Sequence, residues 1–315
     1  MRVLITGGAG FIGANLVRWF NEHDPSTEVV VLDDLSTGKL SNLEGCDAKF
    51  IEGSVANPIV VEQAMEGVDS VVHLGALGSV PRSVKDPMGS HVANLTGTLV
   101  LLEAARREGA QVIFASSSSV YGANKKLPKS EFDWTRPMSP YAVTKLGAEG
   151  YVLAYQFAYG LPTLAFRFFN VYGPLQAADH AYAAVIPKFL DALGKGEALQ
   201  IESDGGQSRD FTYVDTVCDA IYKAVTRELS SPDPVNLAFG TRTSILELAS
   251  EIEDVSGKVA TTEHVAPRVG DVRASEADGK RIAELLPDVE PVDLRTGLAA
   301  TIEWFESQGS GATLE

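Results

Sequence analysis

Tyr141 and Lys145 stand four residues apart, a spacing that puts both on one face of a helix. Pro140 precedes them, as suits a first helical turn. A free phenol titrates at about pH 10, too high for a base at neutral pH. An ammonium group alongside favours the phenolate and brings the tyrosine within reach of proton transfer. Taken alone, the pair reads equally well as a packed aromatic beside a solvated lysine. The context shifts the balance. The apolar run Val112-Ile113-Phe114 leads into Ser116-Ser117-Ser118-Ser119. A hydroxyl at the end of such a strand can hydrogen-bond an oxygen that is being deprotonated.

A second chemical signal sits at the start of the chain. Glycines 7, 10 and 13 follow the apolar run Arg2–Thr6 directly and open a helical pattern. Gly7 permits a tight turn, Gly10 lets backbone N–H groups approach a pyrophosphate, and Gly13 allows close helix–strand packing. The helix N-terminus then faces the phosphates. Asp33 ends the next apolar run, 20 residues after Gly13, where a carboxylate can bind ribose hydroxyls. With Asp34 beside it, it would repel a 2′-phosphate, so the expected dinucleotide is NAD and not NADP.

The elements that must position these groups alternate along the chain. Short apolar runs at Arg2–Thr6, Glu28–Leu32, Lys49–Ile51, Ser70–Leu74 and Gln111–Ala115 are separated by helical periodicity at Phe11–Asn21, Pro58–Met65 and His91–Glu108. That pattern predicts βαβ units and a parallel sheet covered on both faces. A long helix is expected over Pro140–Tyr159, ended by Gly160, and a strand over Thr163–Phe169. Further helices are expected at Ala183–Leu193, Asp215–Arg227, Ile245–Ser256 and Leu294–Ser307, with a strand-like Val235–Phe239. The fold class is α/β: a Rossmann-type doubly wound parallel sheet with a smaller C-terminal α/β substrate-binding domain.

Bulk properties narrow the function. The formal net charge of −16 repels nucleic-acid phosphates, so no nucleic-acid partner is expected, and an anionic ligand needs a few well-placed cations. Cys46 and Cys218 lie far apart, and the five histidines show no metal-ligand spacing, so neither a disulfide framework nor a metal site is expected. No apolar run approaches the roughly 20 residues of a membrane span. The opening residues run straight into the glycine loop, leaving no room for a signal peptide. A cytoplasmic protein is the expectation.

The glycine loop, acidic strand end, serine cluster and Tyr-x-x-x-Lys, in this order, resemble the extended short-chain dehydrogenase/reductase family. Further stretches are similar to its sugar-nucleotide epimerase branch: 79–83, 94–98, Arg167–Pro174, 207–213 and 269–273. By position, the resemblance implies Tyr141 as base and acid, Lys145 as its modulator and a ribose ligand, and Ser117 as the substrate-orienting hydroxyl beside Ser118 and Ser119. The cofactor set it implies is Gly7, Gly10, Phe11, Ile12, Gly13, Asp33, Asp34 and Leu74, with Tyr141 and Lys145. Asn170, Arg209 and Arg268 become ligands of a nucleotide diphosphate. Dehydratases of the family carry Asp-Glu where this chain has Ser118-Ser119, and related decarboxylases carry Glu at the second place, so both reactions are disfavoured. The run 181–188, with Ala184, resembles epimerases of N-acetylated sugars, and Ser275 is the small residue that leaves volume for an acetamido group. Two departures concern the cofactor: Ser54 replaces a common acidic residue, and Gly78 stands where some 4-epimerases carry a lysine.

The expected activity is NAD-dependent 4-epimerisation of a UDP-sugar, an isomerase reaction by transient oxidation at C4. A UDP-glucuronate 4-epimerase stays open as an alternative, although 175–179 lacks the arginine that some such enzymes use for the carboxylate. A non-catalytic NAD-binding scaffold is the alternative of another class. The expected division is an NAD domain at 1–174, with 207–235 returning to it, and a nucleotide-sugar domain at 175–206 and 236–315. The resemblance also implies a homodimer paired through helices near His91–Glu108 and Pro140–Tyr159, although from the sequence those apolar faces read equally well as intramolecular core.

Overall fold

The computed structural model describes residues 1–178, 183–266 and 273–310. Strands β1 (Arg2–Thr6), β2 (Glu28–Asp33), β3 (Lys49–Glu52), β4 (Ser70–His73), β5 (Gln111–Ser117) and β6 (Thr163–Phe168) come first. Short strands β7 (Val171–Tyr172), β8 (Leu199–Glu202), β9 (Ser208–Arg209) and β10 (Thr212–Tyr213) precede β11 (Val235–Leu237), β12 (Thr243–Ser244) and β13 (Thr262–Val265). The helices are α1 (Phe11–His23), α2 (Pro58–Met65), α3 (Val80–Lys85), α4 (Pro87–His91), α5 (Gly97–Glu108), α6 (Pro140–Tyr159), α7 (Val185–Lys195), α8 (Val214–Thr226), α9 (Ile245–Ser256), α10 (Lys280–Leu285) and α11 (Leu294–Ser310).

Among the described residues, seven strands form the central sheet in the order β11-β6-β5-β4-β1-β2-β3, every neighbouring pair parallel. The order reverses between β1 and β4, the topological switch point outside which ligands bind in such sheets. Strand side chains alternate between two cores. Val3, Ile5, Val29, Val31 and Ile113 pack with Leu16 and Phe20 of α1 and Val217 and Ile221 of α8. Leu4, Val30, Leu32, Val112 and Phe114 pack on the other face with Leu101 and Leu102 of α5 and Ala148 and Val152 of α6. The continuous apolar strands of the sequence follow from this two-sided burial.

The chain after β6 adds a smaller lobe. There β8 pairs with β13 in parallel, β9 with β12 antiparallel and β7 with β10 in parallel. Neither β8 nor β13 was expected from the sequence. The buried residues of β8 are only Leu199 and Ile201, and β13 is mostly exposed, so backbone pairing holds a strand with almost no apolar signature.

The helix expected at His91–Glu108 begins earlier. Asp86 caps α4 by accepting from Gly89 N at 2.9 Å, with Pro87 in the first turn. A π-turn at Val92–Thr96 then leads into α5. Within it Asn94 faces the loop after β4: its Oδ1 accepts from Leu77 N at 2.7 Å, and its Nδ2 donates to Leu77 O at 3.2 Å and Thr144 Oγ1 at 3.1 Å. Such local widening of a helix often accompanies a functional site.

His73, fully buried at the end of β4, ties the glycine loop to this segment. Thr98 Oγ1 donates to Asn94 O at 2.5 Å, so it can only accept from His73 Nε2 at 2.9 Å. The proton is therefore on Nε2. The bare Nδ1 accepts from Thr6 Oγ1 at 2.7 Å, and that oxygen accepts in turn from Gly75 N at 3.0 Å. Burial, with the charge of Lys145 second, drives the His73 pKa down to about 3. The folded ring stays neutral while the unfolded one takes a proton below its ordinary value of 6.5. Stability is thus complete above that pH and falls as pH drops towards 3. Urea titrations should show a slope in this window that is shallower by up to about 1.4 kcal/mol per pH unit in His73→Gln; parallel slopes would exclude the histidine as the cause.

Candidate active site

The glycine loop is built for a ligand that approaches its backbone. Gly7 leaves β1 at φ +71°, donates to Leu32 O at 2.8 Å, and lies so close to Gly75 that a Cβ would meet its nitrogen at 2.8 Å. A Cβ on Gly13 would overlap the Gly7 carbonyl. Gly10 caps α1 with no side chain turned onto the helix, and no acid stands in the first turn. The open N–H groups of Phe11, Ile12 and Gly13 form a positive helix end. Asp33 closes the loop from below: Oδ2 accepts from Ala9 N at 3.0 Å and Oδ1 from Leu35 N at 2.8 Å. Burial raises its pKa against these hydrogen bonds. The carboxylate keeps acceptor capacity for a hydroxyl pair, and the exposed Asp34 adds a second negative group. A glycine cradle, an uncapped helix end and a carboxylate at the next strand end fit a dinucleotide.

At the other wall, Ser139 caps α6 by accepting from Ala142 N at 3.2 Å, and Pro140 opens the first turn. Tyr141, Lys145 and Glu149 follow at four-residue intervals down one face. Tyr141 and Ser117 line the cavity together, and Ser117 is the polar neighbour that acts on the phenol. Ser117 Oγ accepts from Ser119 N at 3.2 Å and Ser119 Oγ at 2.9 Å. Burial raises the Tyr141 pKa, and Ser117 pulls it back. Lys145 Nζ donates to Ala115 O at 2.7 Å and lies 5.1 Å from the centre of the Phe114 ring. Burial lowers its pKa to about 8. One turn further, Glu149 Oε2 accepts from Ser116 Oγ at 2.6 Å and Arg167 Nε at 3.0 Å, while Oε1 accepts from Arg167 Nη2 at 2.6 Å.

These groups share one cavity of about 740 Å³. It is lined at one end by Gly7, Gly10, Phe11, Ile12, Gly13, Asp33, Asp34 and Leu74. Ser117, Ser118, Ser119, Tyr141 and Lys145 line it as well, as do Asn170, Arg209 and Ser275. A second cavity of about 510 Å³ shares Asn170, Gln176 and Arg209 with the first, and Ala184 lies in this second one. Asn170 donates to Asp210 O at 3.0 Å, Arg209 Nη1 to Ser208 O at 2.8 Å, and Ser275 N to Ser208 O at 3.0 Å. Arg268 lies outside the described residues.

The cavity also holds residues that the sequence did not single out as site residues: Ser36, Thr37, Tyr121, Asn124 and Lys129. Ser36 and Thr37 follow Asp33-Asp34 after one residue, so their position carried a usable signal; Asn124 and Lys129 lie in a loop with none. Ser79 and Arg82, inside a matching stretch, line it too. Ser79 holds φ +115°, a strained value for a residue with a Cβ, while capping α3 through Arg82 N at 3.2 Å.

Residues 3–238 match the NAD dependent epimerase/dehydratase family. UDP-glucose 4-epimerase of Mycolicibacterium smegmatis is 36% identical over 315 residues, covering 98% of this chain and 99% of the relative. The solved UDP-N-acetylglucosamine 4-epimerase of Methanobrevibacter ruminantium, in complex with UDP-N-acetylmuramic acid, superposes with a TM-score of 0.92 at 35% identity, covering 98% of both chains. UDP-glucose 4-epimerase of Thermus thermophilus, in complex with NAD, gives 0.88 at 33% identity, covering 97% of this chain and 99% of that one.

The tight fit at Gly13 gives a direct test of the cradle. Gly13→Ala should weaken NAD binding by more than about tenfold, read as loss of copurified cofactor or by calorimetry; undiminished binding would place the dinucleotide elsewhere.

Proposed function

Because the chain belongs to the NAD dependent epimerase/dehydratase family, we propose that it inverts C4 of a UDP-linked hexose by transient oxidation. UDP-glucose/UDP-galactose and UDP-GlcNAc/UDP-GalNAc are the substrate class. The observation that carries this is that Ser117, Tyr141 and Lys145 line the same cavity as the glycine cradle, with Lys145 anchored on Ala115 O. The names of the relatives support it. So does the absence of acids at Ser118 and Ser119, which leaves no partner for eliminating water.

Tyr141 takes the proton of the C4 hydroxyl and later returns it, and Ser117 orients the sugar oxygen between them. NAD, when bound in the cradle, supplies the hydride acceptor and a positively charged ring. That charge matters because burial by itself holds Tyr141 protonated. Lys145 uses one donor on Ala115 O and offers the other two to a ribose. Asn170 and Arg209, at the junction of the two cavities, hold the diphosphate, with Arg268 as second cation in this reading. Ser275 leaves room for an acetamido group, and Ala184 lines the nucleotide end. The division of labour is that of two domains, 1–174 with 207–235 for NAD, and 175–206 with 236–315 for the nucleotide sugar.

No helix among the described residues is long and apolar enough to cross a membrane. Cys46 and Cys218 are free thiols, in keeping with the cytoplasm as the location. The assembly in this reading is a homodimer. Val84 on α3 and Met88 on α4 are 65% and 69% exposed, and Val143 and Tyr151 of α6, the helix both pack against, are 56% and 41% exposed; in this reading a second copy covers these apolar side chains.

Purified protein incubated separately with UDP-GlcNAc, UDP-glucose and UDP-glucuronate, without added NAD, should give C4-inverted product from one of the first two by NMR. Tyr141→Phe should lower turnover by roughly a thousandfold. Silence on all three sugars, repeated with NAD supplied, would sink the reaction. Light scattering after size exclusion should give the mass of two chains, and Met88→Glu with Tyr151→Glu should give one; a monomeric parent protein would refute the dimer.

A further inference from the structure

Lys129 is an amine built into the cavity wall with most of its hydrogen-bonding capacity unspent. It is 6% exposed and stands with Asn124, Ala274 and Ser275 around the cavity. Its backbone is clamped from three directions: Lys129 N donates to Glu276 O at 2.8 Å, and Lys129 O accepts from Asp278 N and Asn236 Nδ2, each at 2.8 Å. The ammonium donates to Asn124 O. An ammonium has three donors, and no other acceptor for it exists among the described residues. The nearby Asp133 is already engaged, by Lys126 Nζ at 2.7 Å and Ser130 N at 2.9 Å. Asp133 lends Lys129 some charge compensation, but burying a cation with two of its donors unmet is still costly. The arrangement is economical if a ligand brings the missing acceptor. Lys129 lines the cavity together with Ser275, Ser117 and Tyr141, and its backbone pairs with the 276–278 segment that follows Ser275, which in the UDP-sugar reading is the sugar end.

We propose that Lys129 is a specificity-determining cation, and that it receives the carbonyl or carboxylate oxygen of a substituent on the hexose. The inference rests on the UDP-sugar reading above. Ammonium groups only donate, and a carbonyl or carboxylate oxygen only accepts, whereas a sugar hydroxyl does both and is satisfied by water or by neutral groups. Charge-assisted hydrogen bonds of this kind are the stronger class. The rigid backbone clamp fixes where the oxygen must sit, so the contact selects among sugars.

The test compares kcat/KM for UDP-glucose, UDP-GlcNAc and UDP-glucuronate in the parent protein and in Lys129→Met. The parent should favour a carbonyl-bearing sugar over UDP-glucose. That preference should fall by about tenfold or more in Lys129→Met, chiefly through KM. Lys129→Arg, which keeps the charge, should retain part of it. A loss confined to UDP-GlcNAc identifies the amide carbonyl as the partner, and one confined to UDP-glucuronate the carboxylate. An unchanged preference, or a parent protein that favours UDP-glucose over both, overturns the proposal. If the sugars bind without turnover, the epimerase reaction fails by itself, and the same ratio of dissociation constants by calorimetry decides the role of Lys129. Binding of none of them overturns both. Should Lys129→Met fail to fold by circular dichroism, Lys129→Gln, which can still donate to Asn124 O, takes its place.

Discussion

Glu149 and Arg167 face each other where water cannot reach, with 3% and 4% of their side chains exposed. Two parallel hydrogen bonds join them, Ser116 adds a third contact to the carboxylate, and Arg167 continues to Glu131 O at 3.2 Å. The guanidinium also lies 4.8 Å from the centre of the Tyr121 ring. Such a pair is a weak source of net stability, because removing two charges from water costs about what their attraction returns. It is a strong source of registry. Shifting α6 by one turn, about 5.4 Å, would leave both charges buried and alone, a loss of about 3–5 kcal/mol. Tyr141 rides on the same helix two turns away, and Ser117 is the next residue after Ser116. One buried ion pair therefore sets the position of the Tyr141 and Ser117 hydroxyls at once.

The arrangement divides the work between elements. The sheet ends supply fixed points: Thr6 and His73, which hold each other, Asp33, held by Ala9 N and Leu35 N, and Ser117, held by Ser119. The helices supply faces: α1 offers its uncapped end, and α6 a row of three polar residues. The upward pKa shift of Tyr141 and the downward one of Lys145 have the same cause, the loss of water around both. Dehydration thus favours the neutral form of both groups.

The chemistry of the cofactor end was legible in the sequence because it is local. The glycine spacing, the acid at the next strand end and the serine cluster are each read within a few residues, and the structure brings them to one cavity. Helices α6 and α9 run between the expected residues because Pro140 and Gly160, and Ser244 and Gly257, mark their ends. The π-turn, Glu149–Arg167 and Lys129 were not legible. Their meaning depends on partners far along the chain, and a lysine between Pro128 and Ser130 looks like any surface lysine. The expected influence of Lys145 on Tyr141 is a partial case. The two residues share a helix face, but the ammonium is turned onto Ala115 O, and burial dominates the tyrosine.

Strand β11, at the edge of the sheet, has a consequence for the order in which the molecule can be assembled. Its Asn236 accepts from the Tyr121 hydroxyl at 2.6 Å across 115 residues of chain, and its backbone N–H donates to Glu131 at 2.8 Å across 105. During synthesis the glycine loop emerges first and can fold early with its neighbouring strands. The wall carrying Tyr121, Lys129 and Glu131 gains Arg167 earlier, but it is not complete until residue 236 has left the ribosome. A nascent chain is thus able to shape the dinucleotide cradle long before it has a place for the second ligand. The pocket where the two would meet is among the last parts to close, as expected of contacts that span so much sequence.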